Sequence, residues 1–281
     1  MIMNFTNKQI LRIIFLFYFS ISFSQIAKSD SLRGEFIYLL KYKPNTLNEN
    51  YIRKELFSLQ IGDNRAFFIS ENKLKIDSVF SSAYNNKAEN FVLDFTNIPT
   101  GSNFLIIQTN EHSQFYETVG MSLLSYNSYI IDNWKLIDEN KVINSITCKK
   151  AEVHYKGRDW TAWYATEIPF PYGPYKFSGL PGLIVKITDK TGDYDFELVK
   201  SISSSNVKGK MITINKRHYQ NAKLVTKKEL VEARKNFREN SKHQLESMGT
   251  VFSQDPKDNF RERQKVNEAQ KKGHNPIELE D

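Results

Sequence analysis

The residues of this 281-residue chain best suited to recognition chemistry form one cluster. It comprises Trp160, Trp163, Tyr164, Tyr172, Tyr175 and Phe177, interleaved with two cations, Arg158 and Lys176. Rings at this density give a concave sheet the lining it needs to hold an apolar ligand or a peptide, and the cations would orient an acidic group there. The same rings also serve as ordinary core, and either cation can face water instead.

Catalytic signatures are weaker. Cys148 is the only cysteine, so no internal disulfide forms and the fold must rest on its core. Its side chain is read as a buried small apolar group, with a nucleophile or an intermolecular bridge as the alternatives; His154 is the nearest histidine in sequence. The five histidines are scattered without metal-ligand spacing or an HExxH pattern, which argues against zinc chemistry. Ser178 precedes Gly179, but Lys176 stands where a GxSxG nucleophile turn needs glycine. Asp189-Lys190-Thr191-Gly192 matches the first four residues around the phosphorylated aspartate of P-type ATPases, yet Asp193 follows where that motif has threonine, so a turn is expected. Asp193, Asp195 and Glu197 alternate with Tyr194, Phe196 and Leu198, which puts the acids on the outer face of a strand rather than in a calcium loop. A glycosidase pair depends on the separation of two carboxylates, which sequence does not give. No catalytic residue, metal ligand or cofactor is assigned.

The elements that would position the cluster begin after an export signal. Lys8 and Arg12 precede an apolar run over 13–23, and the small polar stretch Ser22-Phe23-Ser24-Gln25 follows. These are the three parts of a secretory signal, and the run is shorter than the roughly 20 residues a membrane span needs. Residues 1–25 are therefore expected to be removed, leaving a soluble periplasmic or secreted protein with no transmembrane segment. An anchor that stays attached is the alternative. The formal charge of +7 includes Lys8 and Arg12, and the remaining cations alternate with acids, as in Arg234-Lys235-Asn236-Phe237-Arg238-Glu239. Nucleic-acid binding needs cations gathered on one face, so it is not expected.

From Gly34 onward, short runs of aromatic and β-branched residues alternate with turn residues, the pattern of antiparallel β structure. Strands are expected over 36–42, 53–61, 65–70, 91–95, 104–109, 114–119, 129–138, 146–155, 159–168, 183–188, 194–202 and 211–215; the pattern over 74–84 fits either a helix or a strand and is read as a helix. In the arm 159–168, Trp160, Ala162 and Tyr164 share one face, and Thr161, Trp163 and Ala165 the other. Residues 169–181 hold four of the eight prolines and read as an ordered loop because aromatics are interleaved. The span 26–225 is expected to be one β-rich domain. The span 226–281 is a helical and polar extension: Thr226-x-x-Glu229 is a capping box, and a loosely held tail follows the helix. The fold class is α+β, mostly antiparallel β, as a curved sheet or open half-barrel with one or two helices.

Trp160-Thr161-Ala162-Trp163-Tyr164, Gly173-Pro174-Tyr175-Lys176-Phe177 and the hexapeptide Gly179-Leu180-Pro181-Gly182-Leu183-Ile184 together resemble the GLPGLI family of exported Bacteroidetes proteins. Cys148-Lys149-Lys150-Ala151, Gly157-Arg158 and the closing Asn275-Pro276-Ile277-Glu278-Leu279-Glu280 extend the resemblance over the mature chain. It implies an envelope setting, an association with outer-membrane TonB-dependent transporters, and no assigned catalytic residues. Physically, Gly179 and Gly182 permit positive φ or close approach, Pro181 fixes φ between them, and Leu180, Leu183 and Ile184 fill a core. A structural corner and a backbone-lined binding site both fit that pattern. The functional expectation is a binding protein of the envelope, with a transporter accessory and a hydrolase of dispersed site as the alternatives.

Overall fold

The computed structural model describes residues 30–85, 98–99, 101–202, 204–247 and 272–280. The export signal over 1–25 and the strand expected over 91–95 lie outside the described residues. Twelve strands form one open sheet: β1 (Gly34–Tyr42), β2 (Arg53–Ile61), β3 (Ala66–Ser70), β4 (Phe104–Gln108), β5 (His112–Val119), β6 (Ser122–Tyr129), β7 (Lys135–Ile143), β8 (Ile146–Tyr155), β9 (Arg158–Ala165), β10 (Leu183–Asp189), β11 (Tyr194–Ile202) and β12 (Lys223–Leu224). Their order across the sheet is β12-β6-β5-β4-β3-β2-β1-β11-β10-β9-β8-β7. Every pairing is antiparallel except the short β12 on β6. The fold is α+β and mostly antiparallel, and the sheet does not close.

Alternation along the strands sorts two cores. Phe36, Tyr38 and Leu40 of β1, Phe57, Leu59 and Ile61 of β2, Trp160, Ala162 and Tyr164 of β9, and Phe196 and Leu198 of β11 all bury into one large cluster. Phe115, Leu124 and Tyr126 from the far strands β5 and β6 belong to the same cluster, so the sheet curls round its own filling. Phe67, Ile69, Leu105, Ile107 and Tyr116 point the other way and form a smaller outer core with Ile214.

Helix α1 (Glu71–Asn85) starts where the Ser70 hydroxyl accepts the Asn72 amide. Helix α2 (Ser204–Val207) is a single turn, and α3 (Lys227–Ser247) opens on the expected capping box. In that box the Thr226 amide donates to the Glu229 carboxylate at 2.7 Å, and the Glu229 amide donates to the Thr226 hydroxyl at 3.2 Å.

Three expectations differ from the structure. The strand placed over 129–138 is two elements, because Tyr129 ends β6 and β7 begins only at Lys135. The strand placed over 211–215 is a single bridge from Met211 to Ser31: beyond it the Ile212 amide donates to the Asp30 carbonyl at 3.0 Å and the Thr213 amide to the Gln60 side chain at 2.9 Å, while Ile212 and Ile214 turn toward the outer core. The third concerns the tail. Of the tail expected over 254–281, residues 254–271 and 281 lie outside the described residues. Residues 272–280 are not loosely held; they cross the mouth of the curled sheet as a strap.

Candidate functional site

The loop joining β9 to β10 packs against the concave side. Gln108 at the end of β4 reaches it through Nε2, which donates to the carbonyls of Gly173 at 2.8 Å and Tyr175 at 2.5 Å. The Tyr38 hydroxyl donates to the Ile184 carbonyl at 2.7 Å, and the Trp134 indole donates to the Ser178 carbonyl at 2.9 Å. Held this way, the loop packs Phe177 against Trp160 with ring centroids 4.6 Å apart and sets Tyr175 edge-on to Phe104.

Of the six predicted aromatics, Trp160, Tyr164, Tyr172, Tyr175 and Phe177 are buried in this one cluster. Trp163 alternates away from those rings and is only half-buried, packing at the margin of the same cluster with the Lys141 ammonium 5.5 Å from its ring centroid. The hexapeptide forms the corner into β10. Gly179 has φ +92° and Gly182 φ +152°, and a Cβ on Gly182 would lie 2.1 Å from the Ala165 carbonyl oxygen. Leu180, Leu183 and Ile184 are buried beneath it, and Pro181 faces outward.

The strap completes the site. It enters by pairing with the end of β1, where the Asn275 amide donates to the Pro44 carbonyl at 3.1 Å and the Thr46 amide to the Gly273 carbonyl at 2.8 Å. It leaves at the β8–β9 turn, where the Leu279 amide donates to the Lys156 carbonyl at 2.9 Å. Gly157 in that turn has φ +77°, and a Cβ there would come within 2.9 Å of Leu279 Cβ, so only glycine allows the approach.

Two cation–carboxylate pairs whose side chains are buried on both partners lie between these ends. Arg158 Nη1 donates to Asp189 at 2.7 Å, with the side chains 5% and 1% exposed. Its Nη2 donates to Asn275 Oδ1 and to the Pro276 carbonyl, the latter at 2.8 Å, and the guanidinium lies 4.9 Å from the Tyr194 ring centroid. Asp189 also accepts the Thr191 hydroxyl and the Tyr194 amide, so the expected turn carries a buried acceptor.

Lys176 Nζ donates to Glu278 at 2.6 Å and to the Tyr126 hydroxyl at 2.8 Å, with Lys176 and Glu278 side chains 1% and 6% exposed. The rings of Tyr126, Tyr175 and Phe115 surround that ammonium at 4.6, 5.3 and 5.5 Å, an arrangement that favours a cation electrostatically. Burial pushes the Lys176 pKa down to about 8 against the pull of Glu278. Burial pushes Glu278 upward, but Lys176 and hydrogen bonds from Lys176, Tyr175 and Lys227 outweigh it and hold the carboxyl below its usual range. At neutral pH both partners are charged.

Sequence reading picked out Arg158, Lys176 and the rings but missed Glu278, Asn275, Tyr126, Tyr194 and the acceptor role of Asp189. The signal for Asp189 was its place where an aliphatic strand, β10, turns into β11 with its Tyr194 and Phe196. Asn275 and Glu278 entered only within the closing stretch quoted for the family resemblance, which gave them no role, because their partners lie about a hundred residues away or more. Asp195 and Glu197 do share the outer face, where both pair with Lys186, whereas Asp193 precedes β11 and pairs with Lys43 at 3.4 Å and with Arg158 Nη1 at 3.7 Å. Cys148 is fully buried, and burial pushes its thiol up to about 11, the reverse of nucleophile activation. Among the described residues no three His, Cys, Asp or Glu side chains gather as for a metal, and no helix is long and apolar enough to cross a membrane.

Residues 152–186 match the model of a family described as "Protein of unknown function (Porph_ging)". That stretch carries Arg158, the five buried aromatics and Lys176. No curated protein matches the chain. Two solved structures, "Structure of PNGF-II in P21 space group" and "Structure of PNGF-II in C2 space group", are similar, each at 14% identity and a TM-score of 0.48. They align over 72% and 73% of this chain, which spans 33% of either one's length.

Proposed function

We propose that this is an exported envelope protein that works by binding rather than catalysis, taking a ligand or partner on the concave side of the sheet beside the proline-rich loop. The observation that carries this reading is the Lys176–Glu278 pair, buried among aromatic rings at the mouth of the fold. A core built only for stability gains little from such a pair, since apolar residues of equal volume do as well or better. A recognition site needs a few fixed polar groups in an apolar surround to set orientation. The signal-like pattern of the first 25 residues supports placement in the envelope.

One observation favours a second reading, the transporter accessory. Strand β7 ends the sheet with Leu136 and Val142 exposed, and an edge strand of this kind can take a strand from a partner. Site-specific photo-crosslinking in envelopes of producing cells separates the two. A crosslinker at exposed Leu279 should give a discrete adduct, whereas one at Met121 in the β5–β6 turn should give none. An adduct from Val142 alone would move the function to the sheet edge, and no adduct from either Leu279 or Val142 would contradict both.

A further inference from the structure

The strap contacts the rest of the fold as a bound peptide does. The Asn275 side chain and main chain, the Pro276 carbonyl and the Glu278 carboxylate are each read by a distant element. The Asn275 side chain accepts from Arg158 and donates to the Lys43 carbonyl at 2.9 Å, and its main-chain carbonyl accepts the Tyr194 hydroxyl at 2.5 Å. Pro276 offers its carbonyl to Arg158, and Ile277 packs against the core. Glu278 takes Lys176, the Tyr175 hydroxyl at 2.8 Å and Lys227 at 3.0 Å, so two ammonium groups converge on one carboxylate. The backbone enters by antiparallel pairing with residues 44–46, the mode by which extended peptides add to a sheet.

The fit is also incomplete. Arg158 Nε is buried and meets no acceptor among the described residues. The site thus holds a donor that the strap does not use.

We propose that residues 272–280 are the resident occupant of a peptide-binding site, which takes in their place an extended segment of another protein carrying Asn-Pro and, two residues after the proline, a carboxylate. This rests on the binding reading above and adds the ligand class. Arg158, Tyr194 and the Lys43 carbonyl recognise the asparagine; Lys176, Tyr175 and Lys227 recognise the acid. The chain's own segment competes with the ligand, so the apparent affinity of the intact protein is lowered by the fraction of time the strap is in place.

The test uses a fluorescein-labelled peptide with the sequence of residues 272–280, titrated by anisotropy into the purified protein and its Asn275→Ala/Glu278→Gln variant. The variant, whose strap is mismatched, should bind saturably and at least about tenfold more tightly than the wild type. A peptide with glutamine at the position of Glu278 should bind the variant about tenfold more weakly. If the variant does not fold alone, adding the first peptide should restore its native circular dichroism. Three results overturn the proposal: a folded variant without saturable binding, equal affinity for both peptides, or an unfolded variant that the peptide does not rescue. Any of these alongside a discrete adduct from residue 279 would remove the peptide specificity and leave the binding reading standing.

Discussion

Removing one member of the Lys176–Glu278 pair should cost far more than removing both. The two side chains are almost fully withdrawn from water and 2.6 Å apart, so either single truncation leaves an uncompensated charge or its strongest donor in the interior. Breaking a buried pair costs about 3–5 kcal/mol. Glu278→Gln keeps a carbonyl oxygen within reach of Lys176 and belongs near 3 kcal/mol; Lys176→Met leaves the carboxylate with Tyr175 and the partly exposed Lys227 and belongs in the same range. A domain has about 5–15 kcal/mol in total, so both variants should remain measurable by urea unfolding with linear extrapolation. The double variant Lys176→Met/Glu278→Met removes both charges. It should come within about 1 kcal/mol of the wild type after allowing about 1 kcal/mol for the unmet Tyr175 hydroxyl. Single losses under about 1 kcal/mol, or a double loss equal to their sum, would refute the reasoning.

Other expectations follow from single positions. Gly182→Ala should destabilise by about 1–3 kcal/mol from φ alone, with the clash against the Ala165 carbonyl adding to it, so thermal melting should drop by several degrees. Gly157→Ala should release the strap, read as faster proteolysis near the C-terminus while the sheet's circular dichroism is kept. Cys148 should resist thiol reagents in the native state at pH 8 and label fully in urea. Lys176 also sets a pH dependence. Its folded pKa of about 8 lies below the ordinary lysine value of about 10.4, so between the two the unfolded chain holds the extra proton and stability rises with pH. Unfolding measured over that window should show the wild type gaining stability relative to Lys176→Met; a flat difference would count against the burial of that ammonium.

Much of the sheet was legible because its signals are local. The β8–β9 hairpin, β10 and β11 each carry period-2 alternation bounded by turns at Gly157 and Gly192, where φ is +77° and +70°. The capping box at Thr226 placed α3 for the same reason. Boundaries failed where apolar content continued through a loop, as between Tyr129 and Lys135. Residues 211–215 failed because alternation reports a buried face but not whether a strand is available to pair. The candidate site was half legible. Its rings and cations fall within thirty residues of one another, whereas its acceptors come from the strap, whose position depends on how the whole sheet curls. Nothing in the polar, aperiodic sequence of 272–280 encodes that Glu278 meets Lys176 or that Asn275 meets Arg158.

Hydrogen exchange at the amides of Asn275 and Leu279 tests most directly whether the strap holds the site together. With the Asn275 amide on the Pro44 carbonyl and the Leu279 amide on the Lys156 carbonyl, both should exchange slowly in the wild type. Both should approach free-peptide rates in Glu278→Gln while the amides of β1 and β9 stay protected. Exchange at free-peptide rates in the wild type itself would contradict the account.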